Sequence, residues 1–368
     1  MNVTLLISSL AMGGAERVVT LLANHWTRTA RHQVTVVTFE PESAPPPFFP
    51  LDSAVRVRRL DLLRQSVSGL DALRGTLHRI RALRRELLSG SPAVVVCFMT
   101  RTNVTALLAA AGSGIPLAVC ERCDPTAEAS DRAWRAARRL LYPFAWRVVV
   151  QTESIRKRLP GLREASTRVI PNPVEAPRAA GPRTSEPSGR HRLGALGRLQ
   201  FLKGYDLLIE AFGTIVAHHP DWELVIWGEG PMRAELEALV RRSPAADRIR
   251  LPGATSDPEG CLASCDAFVL SSRSEGFPNA LCEAMACGLP VVSFDCPSGP
   301  GEIVRHGVDG LLVPPLDIPA LAAALDRLLR DPDLRLALGA RASEVTTRFA
   351  SERVLQMWDD LLAELPTR

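Results

Sequence analysis

Seven residues separate Glu275 from Glu283 in the run Ser274–Pro290, SEGFPNALCEAMACGLP. The run follows a strand-like stretch, Ala267–Leu270, turns through Gly276-Phe277-Pro278, and enters a helical pattern that opens at Asn279 and ends at Gly288, where a closing glycine belongs. A helix start offers unpaired N–H groups and partial positive charge, which favour a phosphate near Asn279, Ala280 and Leu281. Carboxylates are poor phosphate ligands, but they accept paired hydrogen bonds from a diol. Glu283 therefore suits a ribose diol and Glu275 a hexose hydroxyl. The plainer readings are a helix-start acid complementing the dipole and a solvated helix face. The apolar neighbours of Glu283, which are Ala280, Leu281, Ala284 and Met285, speak against the second.

Another cluster lies in Leu196–Asp206, LGRLQFLKGYD, directly after a strand-like stretch. Arg198 and Lys203 bracket this loop and can converge on a diphosphate, where each charge-assisted hydrogen bond contributes roughly 1.5–3 kcal/mol. Taken alone they would be ordinary surface cations; the acids downstream favour a site. Gly13-Gly14 precedes a helix carrying Arg17 and allows a backbone to approach an anion closely, though a tight turn would need the same glycines. Trp227-Gly228-Glu229-Gly230-Pro231 opens a further helix. It is no dinucleotide fingerprint, because position 233, where a third glycine would stand, is Arg.

Such loops need a scaffold that carries them at strand ends. The 368 residues exceed one ordinary core, and 46% hydrophobic against 23% charged residues is the balance of a chain that buries a sizeable interior. Apolar runs alternate with helical patterns: Val3–Ser8, Gln33–Phe39, Ala93–Phe98, Leu117–Cys120 and Arg147–Gln151 in the first half, then a second series from Arg192 onward. That alternation predicts an α/β protein with two doubly wound parallel sheets. Between the series, Pro171–Arg192 is rich in Pro, Gly, Ser and charge, with nothing apolar enough to pack. The expected organisation is a first domain over 1–172, a linker over 173–191, a second domain over 192–350 and a terminal helix over 351–368 returning to the first domain.

The eight cysteines and seven histidines show no spacing that points to a metal, and Cys120-x-x-Cys123 lacks a partner pair. Buried thiols in a reducing cytoplasm are the expectation. No run of about 20 apolar residues occurs, and the N-terminal MNVTLLISS reads as a buried strand. Charge is uneven: residues 1–180 hold 25 Lys and Arg against 14 Asp and Glu, and the remainder 19 against 26. Asp71–Leu88 and Asp131–Arg147 are basic amphipathic stretches; they suit an anionic membrane surface or a lipid diphosphate, or are solvated faces of ordinary helices. No nucleic-acid module is visible, and none is expected as a partner.

The motif around Glu275 and Glu283 resembles the retaining glycosyltransferases of family 4, whose fold, GT-B, sets two Rossmann-like domains across a cleft. The likeness extends over essentially the whole chain. It implies Glu275, Arg198 and Lys203 as catalytic residues, and Gly14, Gly228, Gly276, Phe277, Asn279, Ala280, Leu281 and Glu283 as donor-binding ones. On the acceptor side it implies Gly13, Arg17, Glu121 and Arg122. Many relatives place a His after a first-domain strand, whereas here Glu121-Arg122 and Asp124 follow Cys120, as in a subgroup that assembles polysaccharides and glycolipids. The resemblance further implies retention, no cofactor and no metal, a nucleotide sugar (UDP-linked in this subgroup), and a lipid-linked or polysaccharide acceptor. It places the chain in the cytoplasm, in peripheral contact with the inner face of the plasma membrane. A sugar-nucleotide epimerase and a catalytically silent binding scaffold are the alternatives. The epimerase would need no basic acceptor surface, and the scaffold should lack one of the four charged residues.

Overall fold

The computed structural model describes residues 1–29, 32–63, 69–125, 132–159, 161–177 and 189–365. Most of the expected linker (178–188), Asp131 and the last three residues lie outside the described residues. The chain divides into two units, Met1–Pro171 with Val354–Arg368, and Asn172–Arg353.

In the first unit seven strands form one sheet: β1 (Asn2–Ile7), β2 (Gln33–Thr38), β3 (Arg56–Arg59), β4 (Val94–Phe98), β5 (Leu117–Cys120), β6 (Arg147–Val150) and β7 (Thr167–Val169). All pairs are parallel, in the order β3-β2-β1-β4-β5-β6-β7, with Leu5 level with Val36 and Val96. The inner strands are covered on both faces, which is why they read as continuous apolar runs. Val94, Val96 and Phe98 of β4 join one core with Leu22, Trp26 and Trp358. Val95 and Cys97 point to another with Leu83, Leu107 and Tyr142.

The terminal helix Ser351–Ala363 belongs to this first unit from Val354 onward. Trp358 packs against Phe98, and Asp359 accepts hydrogen bonds from Trp26 Nε1 at 2.8 Å and His25 Nε2 at 3.0 Å. Glu364 receives Arg147 and Arg168, whose hydrogen bonds hold its carboxyl below the usual range, Arg168 contributing most.

The second unit holds β8 (His191–Leu196), β9 (Trp222–Trp227), β10 (Ile249–Gly253), β11 (Ala267–Leu270), β12 (Val291–Phe294) and β13 (Leu311–Val313). They are again all parallel, in the order β10-β9-β8-β11-β12-β13. Numbered from β8, this is the 3-2-1-4-5-6 order of a doubly wound dinucleotide-type sheet. One expectation needs correction: the stretch after Pro171 is not wholly unpacked. Asn172 and Val174 are buried, and Val174 N–H donates to the Phe349 carbonyl at 2.8 Å within the second unit's core.

Candidate functional site

In the second unit the strand order reverses between β8 and β11, so the loops leaving their carboxyl ends diverge and open a crevice. Lys203 comes from the loop after β8 and Glu275 from the loop after β11. Lys203 Nζ donates to Glu275 Oε1 at 2.6 Å, and the Ser272 hydroxyl donates to the same oxygen at 2.6 Å. Glu275 Oε2 makes no hydrogen bond among the described residues, so one carboxylate oxygen is committed to the protein and the other is left for a ligand.

The crevice is held by backbone contacts that only glycine permits. Gly204 closes the short turn Phe201–Lys203 with φ 62°, and a Cβ there would stand 2.0 Å from the Ser271 carbonyl oxygen. Gly228, with φ 153°, would bring a Cβ to 1.9 Å from the Gly197 carbonyl oxygen, which locks the loop after β9 onto the loop after β8. Arg273 adds a clamp: it donates to the Phe201 carbonyl at 2.8 Å, reaches both Asp206 oxygens, and lies 4.0 Å from the Phe201 ring centroid. Burial pushes the Asp206 carboxyl up, but the Arg273 hydrogen bonds outweigh it and hold the acid below its ordinary range. Arg198 is exposed, and its side chain makes no hydrogen bond among the described residues.

The helix Asn279–Ala286 carries the other expected donor-side residues, and here the structure refines the assignment. The Leu281 N–H is taken by the Pro278 carbonyl at 3.1 Å, so Asn279 and Ala280 supply the open N–H groups. Asn279 Oδ1 accepts from Asn172 Nδ2 at 2.7 Å. Phe277 and Leu281 do not offer side chains to a ligand. Both are buried, and Phe277 meets Phe349 edge-on at 5.3 Å between ring centroids, fixing the loop from behind. Gly276 is buried beside them, and Glu283 is half-buried on the helix.

The first unit has its own reversal, between β1 and β4. Gly13 and Gly14 open the helix Gly14–Arg28, with Arg17 half-buried in its first turn. The Glu16 carboxylate folds back over Gly13, so that a Cβ there would lie 2.2 Å from Glu16 Oε2. Burial pushes the Glu16 carboxyl up and Glu40 adds to it, against hydrogen bonds from its own backbone and Ser9 and the charge of Arg122. Arg122 is buried, 5.7 Å from the Phe98 ring centroid, and burial lowers its guanidinium to about 10.

Glu121, expected on the acceptor side, is instead enclosed, with 1% exposure. Thr100 Oγ1 and Tyr142 OH each donate to it at 2.9 Å, Arg138 lies at 3.5 Å, and Asn103 Nδ2 donates to the Tyr142 oxygen at 2.8 Å. A carboxylate so surrounded anchors its loop and has no face left for substrate.

Sequence reasoning passed over Glu16, Glu40, Ser272 and Ser298, which donates to the Glu275 carbonyl. Ser298 had a signal, since Pro297-Ser298-Gly299-Pro300-Gly301 follows β12 as the other motifs follow their strands. Glu40 had none, because its role depends on a loop 24 residues after Glu16. Among the described residues no group of three His, Cys, Asp or Glu could hold a metal ion.

Family models match both halves: "Glycosyl transferase 4-like domain" over residues 13–173 and "Glycosyl transferases group 1" over residues 190–331. An exopolysaccharide phosphotransferase of Streptomyces coelicolor is 37% identical over 60% of this chain, which spans 24% of that protein. An uncharacterized glycosyltransferase of Haemophilus influenzae is 29% identical over 46% of the chain and 48% of its own length, so the chain spans a quarter to a half of these two relatives. A Campylobacter jejuni α-1,4-N-acetyl-D-galactosaminyltransferase, named for an acceptor on a diphosphate-linked undecaprenol, is 25% identical over 99% of both chains. Among solved structures, a sucrose-phosphate synthase of Thermosynechococcus elongatus superposes with a TM-score of 0.86 at 21% identity, covering 99% of this chain and 98% of that one. Anabaena HepE in complex with UDP and glucose gives 0.80 at 20% identity, covering 99% of both. These likenesses show the two-domain Rossmann-like fold.

Proposed function

The chain belongs to the group 1 glycosyltransferases of family 4 type, and on that premise we propose that it moves a hexose or N-acetylhexosamine from a UDP-sugar to a lipid-linked or cell-surface glycan precursor, with retention at the anomeric carbon. The observation that carries this reading is the Lys203–Glu275 pair at the reversal of the second sheet, beside Arg198 and the open N–H groups of Asn279 and Ala280. Cleaving the bond between the sugar and the diphosphate builds negative charge on the leaving oxygen and positive charge on the ring. Arg198, Lys203 and the helix start meet the first, and these interactions strengthen as the charge develops, which is where they accelerate the reaction. Glu275 Oε2 accepts a sugar hydroxyl, and Glu283 the ribose diol. Attack comes from the face the leaving group departs, and the leaving phosphate takes the acceptor's proton, so no protein nucleophile is required.

UDP as the nucleotide draws support from the ligand of the Anabaena structure, and a lipid diphosphate acceptor from the name of the Campylobacter enzyme. Peripheral membrane contact draws support from the helix Gly69–Gly90, which leaves Arg74, Leu77, Arg81, Arg85 and Leu88 exposed along one stripe. Arg84 stands apart from it, since it donates to the Ala109 and Ala111 carbonyls at 2.8 Å and so finishes a neighbouring helix. Among the described residues no helix is long and apolar enough to cross a membrane.

The test is nucleotide release from a panel of UDP-, GDP- and ADP-sugars, with and without a polyprenyl-lipid extract. Release from one UDP-sugar that rises with the extract is expected. Release from a GDP-sugar alone would overturn the nucleotide assignment. No release from any donor, with nucleotide still raising the melting temperature, would favour the silent scaffold.

A further inference from the structure

The helix Arg132–Leu141 carries four arginines and no acid. Arg135 and Arg139 sit one turn apart, where like charges repel, and neither makes a hydrogen bond or ion pair among the described residues. Both line a cavity of about 270 Å³ together with Arg138 and with Arg158 from the helix Glu153–Arg158, over a floor that includes Tyr142 and Leu159. That volume far exceeds the ~10–15 Å³ one water needs.

Among the described residues, the acids near this cavity do not balance it. Glu121 lies 3.5 Å from Arg138 and Asp124 lies 3.7 Å from Arg158, and both acids are buried behind the wall with exposures of 1% and 2%. Arg138 is spent further on the Pro125 carbonyl at 2.9 Å. Among the described residues four guanidiniums from two elements thus face one space with two carboxylates behind them, and Arg135 and Arg139 are left to a ligand. Guanidinium forks match phosphate oxygens in number and geometry, and an apolar floor lowers the local dielectric and strengthens the contact.

We propose that this pocket is a binding site for a phosphate-bearing anion, separate from the candidate diphosphate residues of the second unit, with Arg135 and Arg139 as its principal ligands. Two sources carry the same chemistry, a headgroup in a lipid surface and a free or acceptor-borne phosphate or diphosphate. Its use for an acceptor's phosphate rests on the proposed function; its existence as an anion site does not.

The experiment is calorimetric titration of the full chain with inorganic pyrophosphate in excess UDP, comparing wild type, Arg135→Ser with Arg139→Ser, and a charge-matched control, Arg241→Ser with Arg242→Ser in the second unit. Flotation with phosphatidylglycerol vesicles forms a second arm. About a tenfold loss of pyrophosphate affinity in the first variant alone supports the site and assigns it to a free or acceptor-borne phosphate. Loss of vesicle binding in that variant alone supports it and assigns it to a headgroup. Both arms unchanged, or changed equally in the control, overturn the proposal. Failure of UDP to bind counts against the proposed function and leaves the comparison between variants readable.

Discussion

Both units carry a parallel sheet whose order reverses beside its first strand, and each gathers charged residues at that reversal, yet the two crevices are built differently. In the second unit the walls are backbone: Gly204 lies on the Ser271 carbonyl and Gly228 on the Gly197 carbonyl, and the charged groups, Lys203, Glu275 and Arg198, stand forward of them. In the first unit the charged groups are themselves the wall. Glu121 is sealed among Thr100, Tyr142 and Arg138, and Arg122 is buried against Phe98. One crevice separates what holds it together from what meets a ligand; in the other the charged side chains are taken up in holding the wall itself. Removing charge should therefore cost turnover in one and stability in the other.

The largest expected effect is in the second unit. Glu275→Gln and Lys203→Ala should each lower turnover by about 10²–10³, the scale of losing one group that stabilises developing charge, while the unfolding midpoint in urea moves little. Steady-state rates with the preferred donor, set beside denaturation curves, check both halves. A variant that unfolds as readily as it loses activity would make this crevice no different from the first.

In the first unit the order of effects should invert. Glu121→Gln keeps the shape but withdraws the charge that Arg138 faces and reverses half of the hydrogen-bonding character met by Thr100 and Tyr142. Breaking a buried pair from one side costs about 3 kcal/mol or more. The measurement is the urea midpoint at unchanged slope, with any loss of rate following the loss of folded protein. Undiminished stability combined with a large loss of rate would return Glu121 to the acceptor side.

The same contrast explains how much the sequence disclosed. Where the wall is backbone, glycines at fixed offsets from strand ends are visible in the chain, so Gly228 and the Glu275 loop could be read and the doubly wound fold with them. The alternating apolar runs likewise exposed the buried strands. β3, with three arginines in Arg56–Arg59, does not read as a strand, because an edge strand needs only one covered face and carries its charge toward solvent. Glu121 reads as polar and therefore available; that it is enclosed depends on Thr100, Asn103 and Tyr142, which come from two other segments. Phe277 and Leu281 sit within a binding motif, but their neighbours in space are core residues that the motif does not mention.

Glu16 sharpens the comparison most finely, because it is the half-buried acid of the first crevice. Its carboxyl is raised by burial and by Glu40, so between the ordinary carboxylate range and its own folded value the native state holds a proton that the unfolded chain has released. With more protons bound in the native state, stability falls as pH rises through that window and stays lower above it. Glu16→Gln cannot ionise and escapes that loss. The variant should thus gain stability relative to wild type as pH climbs from below the carboxylate range to neutrality, by less than either change above costs. Thermal melts of the two proteins across that range test the sign. A difference that stays flat would mean that the Ser9 and backbone hydrogen bonds and Arg122 cancel the burial and the charge of Glu40. A difference that runs the other way would mean that the first crevice, like the Arg273–Asp206 clamp of the second, stabilises its acid in the charged form.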